Sequence, residues 1–313
     1  MWRSRSKVSG YVVGCALAAL LAGAPVAALE RFVFATPEDP ESLKESLVAA
    51  SLLQTVIRVD KERDPQELLA AARADYARLV SALYDAGYYG GTVSIRIDGR
   101  EAADIPPLDA PDAIREIAVS VSPGSPFGFG DVSIGPVAAG TALPEGFSPG
   151  QPARASVIRE TARTAVEAWR RVGHAKAAVG SQSITADHAR KLVDARIALA
   201  PGERLRFGEL AFTGETTVRP ERLRDIAGHP SGEVFDPGKA AEVAERLRRT
   251  GVFRSVAVTE AETPNPDGTL DFTAAVVDRP PRRIGGGAEI SSTEGLGVSA
   301  YWLHRNLLRG AER

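Results

Sequence analysis

The side chains able to do chemistry are few and scattered. Four histidines, His174, His188, His229 and His304, stand far apart in the chain. Zinc sites draw their ligands from short, paired spacings, and these four share none. Cys15 is the only cysteine among 313 residues, so disulfides and thiolate chemistry have no basis. A G-x-S-x-G nucleophile elbow is absent. The run Gly285-Gly286-Gly287 lacks the Lys-Ser/Thr of a phosphate loop and precedes a strand pattern, not a helix. It reads either as a flexible joint or as a loosely paired strand. Arg246, Arg248 and Arg249, like Arg170 and Arg171, could meet anionic headgroups. They also fall at predicted helix C-termini, where positive charge suits the helix dipole and a solvated face is favoured. Tyr88-Tyr89 is either a peptide-binding pair or a packed turn. A net charge of −2 gives no electrostatic case for nucleic acid. The expectation is a non-enzymatic protein with no catalytic residues, no metal and no ATP or redox cofactor.

The elements that carry these residues repeat. "PGSPFGFGDVSIG" from Pro123 returns as "PGERLRFGELAFTG" from Pro201, with Phe129-Gly130 matched by Phe207-Gly208. A repeat of this kind points to a larger unit. Three long helices are predicted. They start at Asp64-Pro65, Ser148-Pro149 and Asp236-Pro237, each a capping residue followed by the proline that suits a first turn. They stop at Gly87, Gly173 and Gly251. A strand follows each: Val93, Ile95 and Ile97 alternate clearly, Val256 and Val258 briefly, and the stretch around Val179 weakly. Second strands run through Ile117–Val121, Val193–Leu199 and Leu270–Val276. Shorter helices are expected over 39–53 and 219–228, and none in the middle unit.

In the repeated phrase Pro-Gly closes one unit, and Phe-Gly opens the first strand of the next. The glycine shifts the apolar register by one, which predicts a bulge. At the third boundary "DRPPRRIGGG" replaces the phrase, as though something other than a further unit follows. There Leu296, Val298, Ala300 and Trp302 alternate with Gly297, Ser299 and Tyr301. At the other end of the chain, Arg3, Arg5 and Lys7, an apolar run and small residues at Val26 and Ala28 read as a secretory leader over 1–28.

The helix-ending Gly87-Tyr88, Gly173-His174 and Gly251-Val252-Phe253, the "FGDV" and "FGEL" strand starts and "GVFRSVAV" resemble the POTRA (polypeptide-transport-associated) module. That module belongs to the outer-membrane assembly superfamily, which joins POTRA units to a surface-antigen barrel. "WLHRNLLRGAE" resembles the end of its second barrel strand, and three units make the TamA subfamily the most similar. The resemblance implies an α+β chain of three tandem POTRA-like β-α-α-β-β units after a signal peptide. The units span 29–125, 126–203 (divergent) and 204–282, and 283–313 would begin a transmembrane β-barrel. It further implies periplasmic units on an outer-membrane protein, in contact with outer-membrane lipid. A TamB-like inner-membrane-anchored partner would be reached through the first unit. Unfolded outer-membrane proteins, autotransporters among them, would be received by strand addition. Client contacts are expected at Val93, Ile95 and Ile97, and at the barrel seam at Gly285, Gly286, Gly287, Ala288 and Ile290. A two-partner secretion pore, a general barrel-assembly protein and a soluble periplasmic scaffold stay open as alternatives.

Overall fold

The computed structural model describes residues 29–36, 40–59, 64–291, 295–306 and 308–311. The proposed leader, and Asp39 as a cap, lie outside the described residues. Three small α+β units follow one another. The first holds β1 (Arg31–Ala35), α1 (Glu41–Ala50), α2 (Leu52–Val59), α3 (Pro65–Ala86), β2 (Thr92–Ile97), β3 (Arg100–Glu101) and β4 (Glu116–Ser122). The second holds β5 (Gly128–Gly135), α4 (Ala155–Arg171), β6 (Ala178–Asp187) and β7 (Leu192–Ala200). The third holds β8 (Arg206–Thr213), α5 (Pro220–Ala227), α6 (Pro237–Arg249), β9 (Phe253–Glu260) and β10 (Thr269–Asp278). A hairpin of β11 (Arg282–Ser291) and β12 (Gly295–His304) comes last.

One topology serves all three sheets. The last strand of a unit is parallel to the first strand and antiparallel to the strand that follows the long helix, β2, β6 or β9, and lies between the two. A parallel pair needs a crossover, and the helices supply it while covering one sheet face. α3 starts where Asp64 accepts the N–H of Gln66, and α6 where Asp236 accepts those of Gly238 and Lys239. Gly87 closes α3 in the left-handed region at φ +92°.

Two helix expectations need correction. The middle helix begins at Ala155, not at Ser148-Pro149. Gly150 turns at φ +81°, and Pro152 is held extended in a bridge to Gly128, so the chain cannot enter the helix sooner. The first short helix is two, α1 and α2. The buried carboxylate of Asp75 accepts the Ser51 hydroxyl and the N–H groups of Leu52 and Leu53, and so starts a new helix there. The middle unit has no short helix between β5 and α4, as its Pro- and Gly-rich segment implied.

Each unit has its own apolar interior. Leu47, Leu53, Leu69, Leu79, Ile95 and Ile117 fill the first. Phe129, Ile158, Ala165, Val193 and Ile197 fill the second. In the third, one interior is built on Phe207, Phe235 and Phe272, and another on Leu223, Val243, Leu247 and Val276.

The joints between units are built alike. The carbonyl of Gly87, past the end of α3, accepts the N–H of Phe127, whose own carbonyl accepts the N–H of Ala153. Gly173, Leu205 and Phe235 repeat both bonds. The bridge Gly128↔Pro152 has its counterpart in Arg206↔Val234. The third boundary, despite its changed sequence, keeps part of this plan. Arg305 donates its N–H to Pro281, and Arg282 pairs with His304. The bond that ties β5 and β8 to the preceding helix end is missing here, since Pro281 has no N–H to give; Arg279 instead donates its N–H to the Val252 carbonyl. The expected bulge is also present: register shifts fall between Phe129 and Val132 on β5 and, on β10, between Leu270 and Phe272, the partners of Phe207 and Leu210 on β8.

Candidate functional site

A sheet edge presents unpaired N–H and C=O groups; beside β1, β5 and β8, the edges of the three sheets are β3 with β2 behind it, β6 and β9, and the hairpin has edges of its own. β2 offers such an edge over little of its length. Ile95 and Ile97 are buried in the first interior, and Val93 packs against it. On its outer side β2 pairs with β3 through Arg96↔Glu101 and Ile97↔Arg100. The Ile95 N–H is donated to Glu101 at 3.0 Å, and the Ile95 carbonyl accepts the Tyr76 hydroxyl at 3.1 Å. Tyr76 also hydrogen-bonds Glu101, and Ser94 donates to the same carboxylate. Val93, Ile95 and Ile97 thus have their side chains in or against the core, and the outer side of β2 is covered by its own chain from Ile95 to Ile97.

Electrostatics reinforce that cap. Burial, then the hydrogen bond to Glu101, pushes the Tyr76 phenol up to about 12. Burial alone would raise Glu101, but donation from Tyr76, the Ile95 N–H and Ser94 outweighs it and holds the carboxyl below its usual range.

β9 is partly closed. Arg248 of α6 donates to the Val256 carbonyl at 3.2 Å. Glu260, its last residue, is ion-paired across the second joint with Arg170 and with Lys176. Arg170 stands three residues before Gly173, as Arg248 stands three before Gly251. It has been turned away from its own sheet: it lies over the Phe235 ring of unit 3, 5.2 Å from the centroid, and reaches Glu260.

β6 is left open. It has ten residues, eight of them exposed in succession, and carries no charge until Asp187. Among the described residues no strand, turn or side chain hydrogen-bonds its outer edge from Ala178 to Ala186. Beside it runs a groove of about 580 Å³, lined by Tyr84, Tyr89, Ile158, Ala162, Ile184 and Ala186. Tyr84 and Tyr89 stack with centroids 4.9 Å apart. The Tyr89 hydroxyl is buried without a hydrogen-bond partner. Burial, then the neighbouring Asp85 carboxylate, raises that phenol to about 12. Tyr88 instead packs on the first interior, so the tyrosine pair divides between core and groove. Sequence reading passed over β6 because neither of its faces is buried. Its sign was the alternation of Gln182, Ile184 and Ala186 with Ser181, Ser183 and Thr185.

Gly285, Gly286, Gly287, Ala288 and Ile290 all lie on β11, which pairs with β12 on one side and with no other described strand on its second. Opposed residues share a face. Ile284 with Trp302, Gly286 with Ala300 and Ala288 with Val298 make one face apolar. Arg283, Gly285, Gly287 and Glu289 form the other with Leu303, Tyr301 and Ser299, polar but for Leu303. Tyr301 lies across Gly285, where any added side chain would overlap its ring. No described helix is long and apolar enough to cross a membrane. Among the described residues no cluster of His, Cys, Asp and Glu is placed to hold a metal.

Residues 205–278 match the family model of POTRA, the surface antigen variable number repeat. The match covers unit 3. The run of units resembles POTRA domains 3–5 of BamA from Haemophilus influenzae, with 16% identity over 80% of this chain and 96% of that one, at a TM-score of 0.53. BamA from Haemophilus ducreyi lacking POTRA domains 1–3 aligns at 18% identity over 58% of this chain and 35% of that one, with a TM-score of 0.49. POTRA domains 1–3 of Omp85 from Anabaena align at 14% identity over 81% and 96%, with a TM-score of 0.30. The first of these likenesses extends the POTRA fold from unit 3 to its neighbours, whose sheets have the same strand order.

Proposed function

We propose that the protein is an outer-membrane assembly or translocation factor of the Omp85 type. Its POTRA units hold unfolded outer-membrane proteins in the periplasm, and a barrel beginning at β11 assists their insertion. The observation that carries this reading is the last joint. A two-faced hairpin follows unit 3 directly and is tied to it by the Arg279 N–H on the Val252 carbonyl and by Asn306 on Thr217. An apolar face opposite a polar one is the pattern of a strand between lipid and lumen.

Strand addition suits a factor with many clients, because main-chain hydrogen bonds do not depend on side-chain identity. The three glycines of β11 bring little packing to its free edge, so a seam there opens at low cost. A TamA-like role toward autotransporters, with a TamB-like partner at unit 1, is the specific form supported by the three-unit resemblance. It requires no cofactor. The test is insertion of an unfolded autotransporter barrel into lipid vesicles carrying the full-length protein, read by protease protection. Photo-crosslinkers at Gly285 and Gly287 should capture the client during insertion. Insertion no faster than in empty vesicles would overturn the reading.

A further inference from the structure

We infer that the groove between β8, α5 and the loop after β12 binds an anionic phospholipid. Arg219, Arg224 and Arg309 take its phosphate, and Leu210, Phe212 and Leu223 take the glycerol and first acyl carbons. The inference rests on the reading above and names a lipid held at the base of the barrel. The groove has a volume of about 590 Å³. Three arginines line it and no carboxylate does. Among the described residues none of the three is ion-paired. Arginines on helices elsewhere are: Arg163 with Glu167, Arg246 with Glu242 and Arg249 with Glu245. Neighbours at the same end of unit 3 are committed to backbone carbonyls, Arg222 to Gly310, Arg279 to Phe253 and Arg305 to Pro280. The groove thus concentrates uncompensated positive charge in a chain whose net charge is −2. Phosphate suits such a set, because each planar guanidinium presents paired N–H donors to its oxygens.

Depth and the apolar floor identify the source of that phosphate. Toward unit 3, one face of the hairpin runs from Ala288 and Val298 through Gly286 and Ala300 to Ile284 and Trp302, and ends at Arg282 and His304. Tryptophan sits where hydrocarbon meets water, and arginine reaches out to the headgroups. Two residues of strand advance the chain by about 7 Å. Arg282 therefore falls at headgroup level when Trp302 lies at the interface. From that level Asn306 and the Arg309 carbonyl bind the loop to unit 3, and the same loop brings the third arginine to the groove. Leu210 and Phe212 are half-buried beside the buried Leu223. Free phosphate gains nothing from that apolar floor, whereas the glycerol and acyl carbons of a lipid are taken out of water by it.

The test uses the full-length protein in neutral detergent, with a photo-crosslinking residue at Thr213, which lines the groove, and at Gln182 as a control. The probes are dioctanoyl phosphatidylglycerol and dioctanoyl phosphatidylcholine, with inorganic phosphate as competitor. Capture of phosphatidylglycerol at position 213 is expected about tenfold above position 182 and about fivefold above phosphatidylcholine. An arginine near an anionic headgroup is worth about fivefold in binding. Arg219→Gln, Arg224→Gln and Arg309→Gln together should therefore lower capture by about a hundredfold, while the three lysine replacements, which keep the charge, should stay within about tenfold of the native protein. Equal capture at position 182, equal capture of phosphatidylcholine, or undiminished capture in the glutamine variant overturns the inference. A lysine variant as weak as the glutamine one also overturns it, since charge would then not be what binds. Displacement of the lipid by millimolar phosphate, beyond that caused by sodium chloride of equal ionic strength, would assign the groove to a free phosphate group and overturn the lipid. Absent capture with intact client insertion into vesicles refutes this inference alone. Absent insertion with intact capture refutes the assembly function alone.

Discussion

Asp194 on β7 turns its carboxylate into the space left by Gly130 on β5, where it accepts the N–H of Asp131 at 2.8 Å. Asp271 on β10 does the same beside Gly208, accepting the N–H of Glu209 at 2.7 Å. The bulge takes one N–H out of the sheet ladder, and the neighbouring strand supplies its acceptor. Phe-Gly is written twice because each joint needs a buried aromatic and then a residue with no side chain. A methyl group at Gly208 would overlap the carboxylate and stand 3.0 Å from the Leu270 carbonyl. Gly208→Ala should therefore destabilise unit 3 by about 1–3 kcal/mol. Asp271→Asn keeps an acceptor and should cost less. Amide exchange at Glu209 reads both, and unchanged protection in Gly208→Ala would contradict the account.

Much of this architecture was legible in the sequence where local chemistry and tertiary need agree. Asp64-Pro65 and Asp236-Pro237 start helices in any context, and the Phe-Gly register slip announces its bulge. Ser148-Pro149 misled because the cap signal is local, while the Gly128↔Pro152 bridge that overrides it comes from another element. The division at Ser51 was hidden because its cause, Asp75, lies inside a different helix. The candidate site was harder still. Whether an edge is open depends on which arginine or glutamate happens to cap it, and Arg170 and Arg248 look alike in sequence.

The cap on β2 should respond to pH at both ends. Glu101 is held below its ordinary range, so its contribution is present above the unfolded carboxyl value and is lost as pH falls through the folded one. Tyr76 is raised from 10.0 to about 12, so its contribution is complete below 10.0 and disappears as pH rises through about 12. Exchange at the Ile95 amide, corrected for intrinsic rate, should accelerate in both windows. Glu101→Gln should abolish the acidic arm and shift the alkaline one to lower pH, since Glu101 helps to raise Tyr76. A flat acidic profile in the native protein would show that Glu101 does not close this edge.

Arg170, Glu260 and Lys176 lock unit 3 to unit 2 across partly buried surfaces. Glu260→Gln leaves both cations without their carboxylate and should weaken the joint by about 1–3 kcal/mol, in the range for charged hydrogen bonds. Spin labels on the exposed faces of α4 and β9 should then give a broader distance distribution, while the fold of each unit is retained. An unchanged distribution would place the stiffness of the joint in its backbone bonds from Leu205 to Gly173 and Phe235 instead.

Asn306 fastens the hairpin to unit 3. Its side-chain amide donates to the Thr217 hydroxyl at 2.7 Å, and its side-chain carbonyl accepts the Ala311 N–H at 2.9 Å. The returning chain then gives the Arg309 carbonyl to the Arg219 N–H at the start of α5. Asn306 holds φ +57°, a conformation that costs asparagine less than alanine. Asn306→Ala loses both bonds and adds roughly 1 kcal/mol of backbone strain, whereas Asn306→Gly loses the bonds alone. Exchange at the Arg219 amide should rise about tenfold for each 1.4 kcal/mol of lost docking, more in the alanine variant than in the glycine one. If the two variants behave alike and near the native protein, Asn306 does not tie the hairpin to α5.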